Sequence, residues 1–136
     1  MADFNQMIID EFRANNGHVT TAGFGDGLVL LHTVGAKSGE GRINPLMALP
    51  VEGGWMVAAS AAGAPRHPAW FHNIVANGRV RVETGEGIVD VAATVLEGAD
   101  YDAGWAAFTT ASPAFDGYRA KAGGRLIPVV KLTRQP

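Results

Sequence analysis

The chain has 136 residues, a length that suits one domain burying about two thirds of its unfolded surface. With 47% hydrophobic and 18% charged residues it can enclose a core, and eleven Lys and Arg against thirteen Asp and Glu exclude a duplex-wrapping protein that relies on many phosphate contacts. Cysteine is absent, which removes disulfide scaffolds, thiolate zinc sites, iron–sulfur clusters and cysteine nucleophiles. Met1 to Phe12 lacks the basic end and apolar run of a signal peptide, and no segment approaches about 18 uninterrupted apolar residues. A cytoplasmic protein without a stable membrane anchor is expected.

Eighteen glycines without a three-residue period announce many turns and short elements. With Asp3 as N-cap, Phe4, Met7, Ile8 and Phe12 recur at helical spacing until Asn15-Asn16-Gly17, which predicts an amphipathic helix over 4–14. Leu28-Val29-Leu30-Leu31 between Gly27 and Gly35 reads as a strand, as does Ile43 to Val51 despite Pro45 and Pro50. Glu52-Gly53-Gly54 turns the chain into a third strand at Trp55 to Ala59, and a loop is expected from Ser60 to His67. Pro68 opens a helix that Asn77-Gly78 ends. Val80, Val82, Val89, Val91 and Val95 alternate around Gly85-Glu86-Gly87 as a second hairpin. A helix is expected over 100–110, continuing after a break through 113–121, and a β segment over 126–132 closes the chain. About six strands joined by hairpins and about three helices point to an α+β, mainly β, antiparallel barrel in one domain, 1–136.

Familiar nucleotide motifs fail on their own terms. Gly35-Ala36-Lys37-Ser38-Gly39 lacks the glycines a phosphate loop requires, and Gly23-Phe24-Gly25-Asp26-Gly27 precedes a strand where a dinucleotide fingerprint opens a helix. His67 and His72, five apart, would point roughly 140° apart on a helix and make poor metal partners. Two stretches remain informative. Lys37, Ser38 and Arg42 on a Gly-rich turn bring two cations, a hydroxyl and backbone N–H groups toward one anion. Ser60 to Trp70 is a small-residue loop entering a helix N-terminus, where free N–H groups favour negative charge.

Together these stretches resemble a known family. Phe12-Arg13-Ala14-Asn15-Asn16-Gly17, the Gly35–Gly39 turn with Arg42 and Pro45-Leu46, Ala59-Ser60 with Gly63-Ala64-Pro65, and His67-Pro68-Ala69-Trp70-Phe71-His72-Asn73 are similar to the deazaflavin-dependent nitroreductases of the split-barrel flavin and deazaflavin oxidoreductases. The resemblance implies a split β-barrel that binds coenzyme F420, an 8-hydroxy-5-deazaflavin with a phosphate and an oligoglutamate tail. It implies a cofactor groove of Ala36, Lys37 and Ser38, then Arg42, Ile43, Asn44, Pro45, Leu46 and Met47, then Ala58, Ala59, Ser60 and Ala61, then Ala69, Trp70, Phe71, His72 and Asn73. Lys37 and Arg42 would hold phosphate or tail carboxylates. A substrate-side position that is often Tyr in the family is Phe115 here, with Tyr118 three residues later.

The implied activity is hydride transfer from reduced F420 to an electrophilic small-molecule electron acceptor, a quinone, enone or nitro compound. Ser60 and Tyr118 are the catalytic candidates, Ser60 to donate a hydrogen bond and Tyr118, the stronger acid, to deliver a proton that water could also supply. The alternatives are an FMN-linked oxidoreductase and a non-catalytic flavin or apolar-ligand carrier. A monomer or homodimer without nucleic-acid partners completes the expectation.

Overall fold

The computed structural model describes residues 4–21, 25–60, 66–123 and 126–135. In chain order these form α1 (Phe4–Ala14), β1 (Leu28–Val34), β2 (Gly41–Val51), β3 (Gly54–Ala58), α2 (Ala69–Ala76), β4 (Arg79–Thr84), β5 (Gly87–Val95), α3 (Gly98–Ala111), α4 (Ala114–Lys121) and β6 (Val129–Arg134). The six strands close into a barrel in the order β1-β2-β3-β6-β5-β4, with every neighbouring pair antiparallel.

The hydrophobic pattern explains the closure. On β4 and β5, Val80 lies opposite Val91 and Val82 opposite Val89, so the alternating valines share the inner face. Val95 falls outside that core and is exposed. The unbroken Leu28-Val29-Leu30-Leu31 run has a different cause. Val29 and Leu31 join the barrel interior, while Leu28 and Leu30 lie beneath α1 against Ile8, Ile9 and Phe12. Phe4 and Met7, expected on that buried helix face, are exposed, and Ile9 takes their place. The expected N-cap Asp3 lies outside the described residues, as does most of the expected 60–67 loop.

Antiparallel order sorts the connections between two ends of the barrel. The 52–53 and 85–86 turns lie at one end; the turn after β1 and the segments flanking α2 lie at the other, which α2 plugs with Trp70 and Ile74. Outside, α3 and α4 cover β3 and β6, packing Tyr101, Trp105, Phe108 and Phe115 on Met56 and Val129. Gly104 makes the crossing possible, because a Cβ there would stand 3.0 Å from Val129 Cγ1 and 3.1 Å from Met56 Sδ. The described residues hold four helices rather than three: Ser112 is extended at φ −148°, so 114–121 is a separate helix. The last strand begins at Val129, and Leu126 is exposed.

Polar contacts dock α1. Arg13 donates from Nε and Nη2 to the two carboxylate oxygens of Glu83 on β4 at 3.0 and 2.9 Å, and His32 Nε2 lies 2.9 Å from Glu83 Oε1. The Arg13 hydrogen bond holds the Glu83 carboxyl below its ordinary range against the opposing effect of burial, with His32 assisting. Glu11 accepts from the hydroxyls and N–H groups of Thr20 and Thr21, which brings its pKa to about 2. After α1, Asn16 adopts φ 53°, and a Cβ on Gly85 would collide with the Asn16 carbonyl.

Gly85→Ala is expected to destabilise the fold by about 1 to 3 kcal/mol in urea unfolding, the usual cost of forcing backbone apart. Both depressed carboxyls contribute stability that is fully present above the unfolded value of 4.5 and lost as pH falls through their lower folded values. Urea midpoints should therefore drop below about pH 4.5, and Glu11→Gln should flatten that acid limb.

Candidate active site

Three of the four segments singled out in the sequence meet at the plugged end of the barrel: the 35–40 turn, the end of β3 at Ala58, and α2. Asn73 joins two of them. Its Oδ1 accepts the Ala36 N–H at 3.0 Å, its Nδ2 donates to Thr33 Oγ1 at 3.3 Å, and it is only 8% exposed. Asn73 is thus a tie between α2 and the turn. Ser38 is also structural, its Oγ accepting the Glu40 N–H at 3.1 Å. Gly35 and Gly39 donate within the turn, so the N–H groups of Gly35, Ala36, Gly39 and Glu40 are all engaged, and the anion-binding capacity expected of this backbone is narrowed.

The side-chain cations remain. Lys37 is exposed and has no partner among the described residues. Arg42, its side chain 50% exposed, contacts Glu40 Oε2 at 3.1 Å, a solvent-facing pair that an incoming anion can displace at a cost of about 1 kcal/mol or less.

Strand alternation divides the 42–47 segment. Asn44 and Leu46 share the face of Leu31 and Val29 toward the barrel interior, and Leu46 packs on that core. Ile43, Pro45 and Met47 occupy the other face, where Ile43 and Met47 pack with the α1 layer. Met47 also meets the α3–α4 layer, together with Ala58, Phe115 and Tyr118. This is the apolar wall of the site: Phe115 is buried, and the half-buried Tyr118 ring stands edge-on to it at 5.3 Å.

Other candidates divide by exposure. Trp70 and Ala59 are buried in the barrel core, Ala69 and His72 are exposed, Ser60 and Phe71 are half-buried, and Ala61 lies outside the described residues. The 140° separation of His67 and His72 applies only where both are helical, and His67 lies before α2. Pro68 keeps His67 out of the helix, so the two rings stand 5.9 Å apart and His67 also meets Phe71 at 4.9 Å. No three potential metal ligands gather among the described residues.

Sequence reasoning missed two features. Arg119 lies over Trp105 at 4.1 Å and donates to Tyr101 Oη at 3.3 Å, while Tyr101 donates to the Ile127 carbonyl at 2.7 Å, which fastens α4 to α3. The Tyr101, Trp105 and Phe108 spacing was its available signal. The second is a groove of about 850 Å³ at the β1–β4 side of the plugged end, which shares only Arg42 and Ile43 with the expected set. Its other cations, Arg79 and Arg81, carry no motif.

An antiparallel barrel with an apolar wall and surface cations at one end fits a flavin- or deazaflavin-binding oxidoreductase, and comparison with known proteins shows the family. The family model for F420H(2)-dependent quinone reductases matches residues 6–134. An F420H(2)-dependent quinone reductase of Mycobacterium tuberculosis strain H37Rv is 33% identical over 110 residues, 79% of this chain and 73% of that protein. A solved F420-H2 dependent reductase superposes with TM-score 0.70 at 38% identity, covering 78% of this chain and 93% of that one. A domain-swapped dimer gives TM-score 0.71 at 38% identity, covering 78% and 79%. The chain belongs to the F420H2-dependent quinone reductase family. It is an F420H2-dependent reductase with coenzyme F420 as its cofactor, and neither the FMN nor the carrier alternative is needed. No helix of the described residues is long and apolar enough to cross a membrane.

Asn73→Ala should leave the Thr33 hydroxyl and the Ala36 N–H without their partner, at a cost of about 1 to 3 kcal/mol. Amide exchange at Ala36 should accelerate more than exchange in the distant 85–87 turn.

Proposed function

We propose that this chain reduces a quinone at the apolar wall of Met47, Ala58, Phe115 and Tyr118 while Lys37 and Arg42 hold the phosphate of F420. One observation carries the reading: the wall gathers in a single cluster beside the end of β3, and two exposed cations stand on the turn and strand at that same barrel end. The residues present fit the cofactor, since an aromatic ring system needs a flat apolar surface and its phosphate needs cations a few residues away. When bound, reduced F420 supplies the hydride.

The protein's own work is positioning and charge. The wall excludes water and orients the acceptor against the cofactor, and Lys37 attracts the anionic end. Reduction of a quinone carbonyl leaves negative charge on oxygen. Ser60, two residues beyond β3, donates a hydrogen bond to that oxygen, and the Tyr118 hydroxyl delivers the proton. Enones and nitro compounds develop similar oxygen charge and belong to the same acceptor class. The domain-swapped dimer among the related structures supports a homodimer.

Titration with both cofactors at low salt should show tighter binding of F420 than of FMN, with the gap narrowing as salt rises. Equal affinities would sink the charge argument. Lys37→Ala should cost about 1 to 2 kcal/mol of F420 affinity, reduced from the buried-pair range by solvent, with little change in turnover at saturation. Glu40→Gln should tighten F420 by up to about fivefold by releasing Arg42. Tyr118→Phe should lower saturated turnover by about tenfold or more at unchanged cofactor affinity. Turnover within about twofold of the parent, with hydride transfer rate-limiting, would make water the proton source.

A further inference from the structure

The helix that carries Phe115 and Tyr118 is lightly attached to the rest of the fold. α4 has eight residues, too few to be held by backbone hydrogen bonds alone, and it buries only Phe115. Its ends add little: Pro113 supplies no side-chain cap, Ser112 before it is extended, and Gly123 after it turns at φ 68°. The side-chain attachments lie along one face. Phe115 meets Trp105 at 6.3 Å and Phe108 at 5.2 Å, and four residues on, Arg119 lies over Trp105 at 4.1 Å and donates to Tyr101 Oη at 3.3 Å. Tyr101 is itself pinned, since its hydroxyl donates to the Ile127 carbonyl at 2.7 Å. Among the described residues no carboxylate pairs with Arg119, so an aromatic ring and a phenol hold its charge.

Resting on the reading of the apolar wall above, we infer that Arg119 is a positioning residue for the reaction: through Trp105 and Tyr101 it fixes the rotation of α4, and with it the fit of the electron acceptor against Phe115 and Tyr118. Two attachments one turn apart set a helix's rotation about its axis as well as its distance from the layer below. At about 100° per residue, Tyr118 then projects beside the attached face, edge-on to Phe115 at 5.3 Å and in the layer of Met47 and Ala58. Rotation of α4 by one residue position would carry the Tyr118 ring out of that layer. Arginine suits the task, because its planar guanidinium stacks on a ring and donates in its own plane at once, and it keeps its charge at every pH the fold survives. The anionic end of the cofactor is met by Lys37 and Arg42 on other elements, so Arg119 acts on the acceptor and not on F420 affinity.

The test measures quinone KM and kcat at saturating reduced F420, F420 affinity by fluorescence titration, and amide exchange by mass spectrometry, all on the full chain. Arg119→Met, which keeps the stem and removes the charge, should raise acceptor KM by about fivefold and lower kcat by about threefold, with F420 affinity within about twofold of the parent. Exchange over 114–121 should accelerate while α2 keeps the parent's rate. Arg119→Lys should recover about half of the loss or more, because its ammonium still reaches the Trp105 face. In a Tyr118→Phe background the kcat loss from Arg119→Met should vanish, since the two changes act through one group, while the KM rise persists. Should Tyr118→Phe keep the parent's turnover, the proton role of Tyr118 falls alone, and the KM rise of Arg119→Met still supports the proposal. Should Arg119→Met fail to fold, Tyr101→Phe takes its place: it removes the acceptor of the Arg119 hydrogen bond from outside α4 and should raise acceptor KM by about threefold at unchanged F420 affinity. Acceptor KM and kcat at the parent's values in the folded variants, with or without faster exchange in α4, overturn the proposal and leave the F420 reading standing. Equal losses in acceptor kinetics and F420 affinity also overturn it and make Arg119 a support of the whole fold. A parent that reduces no quinone overturns the reading and the proposal together.

Discussion

Burial of β1 on both faces is the constraint from which the rest of the molecule follows. A strand with Val29 and Leu31 on one side and Leu28 and Leu30 on the other cannot stand at a solvent boundary. It requires a closed sheet behind it and a helix in front, and the barrel and α1 supply them. The strand then changes character at His32 and Thr33, whose polar groups meet Glu83 and Asn73. Those two contacts turn a packing element into a support for chemistry, since Thr33 is the last buried residue before the cationic turn.

The division of labour across the plugged end is physical as well as spatial. A ring binds best to a dry, rigid surface, and α4 is held rigid by Arg119 against Trp105 and Tyr101. An anion is met most readily by hydrated cations with room to adjust to it, and the Lys37 and Arg42 side chains are solvent-facing. Asn73 prevents the two requirements from conflicting by fixing the backbone of the turn while leaving its cation exposed.

The fold was legible in the sequence wherever one physical signal dominated. The valine alternation at 80–82 and 89–91 located the second hairpin, and Pro68 located α2 to within a residue. Phe4 and Met7 misled because spacing assigns a helix face without saying how far the neighbouring layer extends. Within the candidate site, the family motifs name segments, three of which the barrel brings to one end, but not what each residue touches. Asn73, Ser38, Ala59 and Trp70 sit inside those motifs and also make packing or tying contacts, which a contiguous motif does not announce. The 42–47 run illustrates the same limit, since a strand sends neighbours to opposite faces. The second groove was illegible because Arg79, Arg81 and Arg42 come from strands that only barrel closure brings together.

Barrel closure also gives the molecule two poles with different freedom to change. The plugged pole carries the cations, the apolar wall and the Asn73 tie, so a change in its backbone is felt at the candidate site. At the other pole the Glu52-Gly53 turn joins two well-paired strands, and a Cβ added to Gly53, at φ 82°, would meet nothing within 4 Å, while its carbonyl accepts the Arg134 N–H at 2.9 Å. An insertion before Gly53 lies far from the site, whereas one at Gly54 meets the Leu132 carbonyl, so Glu52 is the natural point for grafting a peptide, a fluorophore or a second domain onto a working reductase.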